Sequence, residues 1–265
     1  MRIFAVSDLH ADFRENRARL DDVSTTEFRH DALIVAGDVA DSIDVLTETL
    51  GHLKARFAEV FFVPGNHELW VRGSAAAADS VEKFHAVLKA CDAAGVRTRP
   101  ARVGGTWVVP LFGWYHADFD VSREGREEEL EAWSDRYFCR WPENVGRPDR
   151  YFLTLNEPHV RRYDAPVVTF SHFVPRPELV PPVRYLRFKG LPLVAGTALL
   201  DQQLRRIGAS VHVFGHTHIT EDRVIDGVRY VQNWLRGGGG ATHGPFQLVW
   251  TAGALPAGHP HQLFC

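Results

Sequence analysis

The sequence predicts a layered α/β fold, and three features lead to it: short apolar runs of strand composition, helix-period patterns between them, and polar residues placed directly after each run. The runs cover residues 2–7, 32–36, 60–63, 167–170 and 211–214. They are rich in Val, Ile, Ala and Phe and do not alternate cleanly, as expected of strands covered on both faces.

In chain order, the first run is followed by a second at 32–36. Ile43, Leu46, Leu50, Leu53 and Phe57 then recur at three- and four-residue steps, which predicts a helix leading into the strand at 60–63. Val81, Phe84, Val87, Leu88 and Cys91 repeat the same spacing. Residues 113–165 break the pattern, being rich in Trp, Arg and Glu with several Pro and no core-type strand. We read them as an inserted cap or specificity lobe within a single domain spanning 1–265, with a helix predicted over 124–136. The strand at 167–170, a helix over 197–207 and the strand at 211–214 resume the alternation. Asp226-Gly227 between 224–225 and 228–231 predicts a hairpin. With a further strand at 246–250, this suggests an antiparallel sheet after the last helix. The glycine run 237–240 reads as a flexible loop and lacks the Lys-Ser/Thr of a phosphate-binding P-loop.

The chain has 265 residues, 45% of them hydrophobic, enough to build a core without disulfides. A net charge of −3 gives no positive field to attract nucleic acid or an anionic membrane, so neither is an expected partner. Cys91, Cys139 and Cys265 match no zinc or redox spacing and suit a reducing compartment. No apolar segment approaches the roughly 20 residues of a membrane span, and the N-terminal run is short and ends in an acid, unlike a signal peptide. A cytoplasmic location is expected.

Chemistry is concentrated at the strand ends. Asp8-Leu9-His10 follows the first run, Gly37-Asp38 through Asp41 the second, Gly65-Asn66-His67-Glu68 the third, Ser171-His172 the fourth, and Gly215-His216-Thr217-His218 the fifth. Carboxyl ends of strands in open α/β sheets line one crevice, so these groups can converge. The D-x-H and H-x-H spacings place both side chains on one side of an extended segment. Asp8, His10, Asp38, Asn66, His172, His216 and His218 form an oxygen and nitrogen set without sulfur, suited to Mn, Fe, Zn or Ni rather than to a closed structural zinc site. They are too many for one catalytic ion with open positions and fit two if a carboxylate bridges. Asp38, after a glycine at a strand end, is the expected bridge. His116 and His243 lie in segments able to border such a site; Arg123, Arg136 and Arg140 read as a solvated face, and Trp114, Tyr115, Trp133 and Trp141 as packing of the lobe onto the core.

The order D-x-H, G-D-x-x-D, G-N-H-[DE], a lone His and G-H-x-H, running from Asp8 to His218, resembles the calcineurin-like metallophosphoesterase superfamily. The resemblance implies a four-layer αββα sandwich of two mixed sheets. It further implies that Asp8, His10, Asp38 and His218 hold one metal, and that Asp38, Asn66, His172 and His216 hold the other, with manganese the ion expected in vitro. His67 would face the substrate as a catalytic group beside Asp38, with Asp41 and Glu68 orienting the ligands from behind. A hydroxide bridging the two ions would attack phosphorus directly. The expected activity is that of a phosphomonoesterase on a small phosphorylated compound, with a phosphodiesterase acting on a cyclic or linked nucleotide and a non-catalytic metal-binding scaffold as alternatives. Asp41 is followed by Ser42-Ile43 rather than the Arg-Gly of the Ser/Thr protein phosphatases, which argues against that branch.

Overall fold

The structure is a computed structural model that describes residues 1–72, 77–237 and 243–252; His259, His261, Cys265 and residues 238–240 of the glycine run lie outside them. Strand β1 (Arg2–Val6) leads through helix α1 (Arg14–Asp21) to β2 (Ala32–Val35), α2 (Ile43–Lys54), β3 (Glu59–Phe62) and α3 (Ser80–Ala93). A hairpin of β4 (Ala101–Val103) and β5 (Thr106–Pro110) follows. The chain then passes through short 3-10 turns, α4 (Asp135–Phe138) and α5 (Pro148–Asn156) before β6 (Val167–Phe170), α6 (Leu191–Val194), α7 (Leu199–Ile207) and β7 (Val211–Phe214). It ends with the hairpin β8 (Glu221–Ile225) and β9 (Val228–Gln232), then β10 (Gln247–Thr251).

Two mixed sheets result, ordered β10-β1-β2-β3 and β4-β5-β6-β7-β9-β8. Both faces of the central strands are buried, and the period-2 alternation of a strand sorts the side chains into layers. Ile3, Ala5, Ile34 and Phe61 point toward the other sheet and meet Val108, Val168, Phe170 and Val213. Phe4, Val6, Leu33 and Phe62 point outward against Leu46, Leu50 and Leu53 of α2 and Val87 of α3. On the far side, Val109, Val167 and Phe214 pack under Phe152 of α5 and Leu200, Leu204 and Ile207 of α7. The architecture is therefore an αββα sandwich. Fully burying each Val, Leu, Ile or Phe among them is worth about 1.5–3 kcal/mol. Among the described residues, no helix is long and apolar enough to cross a membrane.

Three sequence expectations change. The C-terminal strands do not form a separate antiparallel sheet: β9 pairs antiparallel with β8 but parallel with β7, and β10 crosses to pair antiparallel with β1. Val249 of β10 thereby joins the layer between the sheets, and the strand covers what would be an open edge of β1. The β4–β5 hairpin, turning on Gly104 and Gly105 at positive φ, is an element the apolar-run criterion passed over. Over 124–136 there is no continuous helix but a 3-10 stretch, Glu127–Ala132, then extended backbone at Trp133 and the start of α4. The break lets the Trp133 indole N–H donate to Asp135 Oδ2 at 3.0 Å. In a continuous helix, residues two apart point to opposite sides.

Candidate metal centre

β1, β2, β3, β6 and β7 all run their carboxyl ends to one rim, and backbone hydrogen bonds continue between the loops beyond them. Asp8 N donates to Gly37 O (3.0 Å), His10 N to Asp38 O (2.9 Å) and Gly215 N to His172 O (2.9 Å). Convergence is achieved by a different backbone from the extended one the spacings suggested. Of seven described non-glycine residues at positive φ, five are Asp8 (53°), His10 (43°), Asp38 (54°), His216 (76°) and His218 (55°). Left-handed turns, rarely adopted by L residues, aim both members of D-x-H and of H-x-H into the crevice. Such strain persists where the surroundings over-determine it and clusters at functional sites. Two glycines make room: a Cβ on Gly37 would strike His172 Nδ1 and lie 2.7 Å from its Cγ, and one on Gly65 would strike Asp38 Oδ1 and lie 2.8 Å from His172.

The inner part of the site is built from His172, His216, Asn66 and Asp38, all buried. His172 Nδ1 lies 2.9 Å from the Ala36 carbonyl, and His216 Nε2 lies 2.9 Å from the Val194 carbonyl. A carbonyl only accepts, so those nitrogens carry the protons and the opposite nitrogens present lone pairs. His172 Nε2, His216 Nδ1 and Asn66 Oδ1 then face one another at 3.1–3.2 Å, with Asp38 Oδ2 at 3.4 Å from His172 Nε2. Burial lowers the His172 pKa and holds that of His216 down to about 3, so no extra proton fills the gap. Three acceptors turned on one another with no donor between them, beside the Asp38 carboxyl and sealed from water, match the needs of a cation.

The outer part joins Asp8, His10 and His218. His10 Nε2 and His218 Nε2 are 3.0 Å apart, and His218 Nε2 is 3.3 Å from Asp8 Oδ1. Asp8 Oδ1 also accepts from His216 N at 3.0 Å, tying the two parts together. Burial opposes charge on Asp8, but the hydrogen bond and charge of His218 overcome it and its pKa falls. Asp38 goes the other way: burial, then the carboxylates of Glu68 and Asp8, push it well above the carboxylate range. Asp8, His10 and His218 lie close enough to share an ion, as do Asp38, His172 and His216, and His67 approaches His10 and Asp38 in a third grouping. The donor set fits two cations.

His67 packs its ring 3.7 Å from Trp70 and edge-on to His10 at 4.6 Å, with Nε2 3.9 Å from Asp38 Oδ2. Burial, then the neighbouring His10 and His172, lower its pKa to about 2, so the imidazole is neutral. Among the described residues, Glu68 makes no hydrogen bond to an imidazole. Its carboxylate accepts from four backbone amides, Asp38 (3.0 Å), Val39 (2.7 Å), Ala40 (3.0 Å) and Gly65 (2.7 Å), and so pins the loop after β2 to the loop after β3. Glu68→Gln would turn an NH2 group toward two of these donors. The expected loss is on the order of 3 kcal/mol in urea-denaturation stability, since each buried donor left unpaired costs about 1–3 kcal/mol. Asp41 meets Arg72 at 2.9 Å, its carbonyl accepts from Lys83, and its amide donates to Asp12; its contacts lie beside the site rather than on the imidazoles.

Several residues between β5 and β6 reach the site. Tyr115 stacks on His216 at 6.3 Å and Trp133 meets the same ring edge-on at 5.9 Å, beyond the packing role expected of them. Asp135, 3% exposed, accepts from Asn66 Nδ2 (2.9 Å), Trp70 Nε1 (2.6 Å) and Trp133 Nε1 (3.0 Å). The sequence carried no spacing that would single it out, because Asn66 and Trp70 come from another loop. His116 caps its own turn at Asp118 and His243 pairs with Glu27.

Fold and site together define a metal-dependent phosphoesterase, and the chain belongs to the calcineurin-like phosphoesterase family, which it matches over residues 1–220. Membership implies a dinuclear metal site. A relative in Mycobacterium tuberculosis, the acyl-carrier-protein phosphodiesterase PptH, is 29% identical over 259 residues, covering 86% of this chain and 75% of the relative. The crystal structure of the phosphopantetheinyl hydrolase PptH from the same organism superposes with a TM-score of 0.74 at 24% identity, over 97% of this chain and 98% of that one, a likeness of fold.

Proposed function

We propose that the chain is a dinuclear-metal phosphodiesterase that hydrolyses the ester joining a phosphopantetheinyl group to a carrier protein. One observation carries the metal-dependent half of this reading: the His172, His216 and Asn66 lone pairs turned on one another at 3.1–3.2 Å. The mycobacterial phosphodiesterase aligned over 86% of this chain supports the diester half. Two bound ions would polarise phosphoryl oxygens and bring the pKa of water toward neutrality. The chain's own residues do the rest. Asp8, His10 and His218 would hold the outer ion, Asn66, His172 and His216 the inner one, and Asp38 would bridge. His67, neutral and braced by Trp70, would donate its N–H to a phosphoryl or leaving oxygen. The outer side admits substrate, since the His218 side chain is 42% exposed while that of His172 is fully buried.

The test is a panel run on manganese-loaded protein: a carrier protein bearing phosphopantetheine, bis-p-nitrophenyl phosphate and p-nitrophenyl phosphate. Release of phosphopantetheine with kcat/KM above that for either nitrophenyl ester is the expected result. An untouched carrier protein with p-nitrophenyl phosphate as the fastest substrate would instead support the phosphomonoesterase reading.

A further inference from the structure

We infer that Asp135, supplied by the lobe between β5 and β6, is the positioning residue that keeps the Asn66 amide oxygen turned into the metal site. The inference rests on the reading that Asn66, His172 and His216 hold an ion. An amide oxygen and nitrogen are nearly the same size, so Asn66 has two orientations of similar shape. In the one observed, Nδ2 donates to Asp135 Oδ1 at 2.9 Å, and Oδ1 faces His172 Nε2 at 3.2 Å and His216 Nδ1 at 3.1 Å. The flipped amide would donate its NH2 to those two imidazole lone pairs, which suits the site better when it holds no ion.

Asp135 forbids that flip, because it would set Asn66 Oδ1 against a carboxylate oxygen. The carboxylate cannot turn aside: Trp70 Nε1 holds Oδ1 at 2.6 Å and Trp133 Nε1 holds Oδ2 at 3.0 Å. At 3% exposure it has little access to water that could soften the clash. The segment carrying it is docked on the loop after β3 and the start of α3, with Val71 N donating to Phe138 O (2.7 Å) and Ser80 N to Arg140 O (2.8 Å). Lobe docking thus completes the inner half of the centre, and the lone pairs stay opposed until a cation relieves them.

Manganese titration of metal-free protein by calorimetry, with elemental analysis of the loaded form, tests this. The parent should bind two ions per chain. Asp135→Ala should weaken one of the two by roughly 10–100-fold, the range for groups that orient ligands from behind, and leave the other within about threefold. Asp135→Asn should bind both ions within about threefold of the parent, because its amide oxygen can still accept from Asn66 Nδ2 and Trp70 Nε1, which share Oδ1. Circular dichroism checks folding, and if Asp135→Ala does not fold, Asp135→Leu, close in shape and without an acceptor, takes its place. A parent that binds two ions with the acceptor-free variant matching it, or Asp135→Asn as weak as that variant, overturns this inference alone. A parent that binds none overturns the metal-centre reading as well.

Discussion

Asp38→Asn is expected to abolish the dinuclear centre and activity together, with kcat/KM falling by about 10³-fold or more. Asp38 belongs to two of the three ligand groupings and lies 3.4 Å from His172 Nε2 and 3.9 Å from His67 Nε2. An amide keeps the shape but loses the charge that two cations share, and the several kcal/mol they contribute to the transition state goes with it. Stability should move in the opposite direction. Asp8, Asp38 and Glu68 are buried carboxyls within one site, and Asp38 is pushed up by burial and by the other two. Removing one charge should therefore raise the melting temperature of metal-free protein. Metal should stabilise the parent, by about 2.7 kcal/mol at a hundredfold excess over Kd, and should not stabilise the variant. Elemental analysis finding two ions in Asp38→Asn would show the bridge to be assigned wrongly.

His67→Ala should leave both ions in place and cut turnover by roughly 10²–10⁴-fold. The side chain is 23% exposed and stands at the open side of the site, braced by Trp70 and His10 rather than buried with His172 and His216. The leaving group separates its two possible duties. A proton donor to the leaving oxygen would matter most for an unactivated ester and little for a nitrophenyl ester. A neutral N–H donor to the phosphoryl oxygens, which the lowered pKa favours, would cost both substrates alike. Unchanged turnover on both esters, with full metal content, would remove His67 from the mechanism.

Much of the fold was legible because the central strands are covered on both faces, which leaves continuous apolar runs at β1, β2, β3, β6 and β7. α7 was legible from its pattern and ends at Gly208 with φ 84°. α1 was not: the segment is mostly charged and buries only Asn16 and Leu20, so it carries almost no helix-period signal. The pairing of β9 with β7 and of β10 with β1 was invisible for another reason, since strand composition does not say which neighbour a strand will choose.

By itself, the sequence determined the layered α/β class, the strand ends as the place of chemistry, and the oxygen and nitrogen character of the site, because each is a property of residue type and local spacing. Tertiary structure alone decided the rest. It set the left-handed turns at Asp8, His10, His216 and His218, the four amides around Glu68, and the approach of Asp135 to Asn66 from 69 residues away. Those depend on loops held by partners remote in the chain, and a hydrogen bond between distant segments leaves no periodic trace in either one.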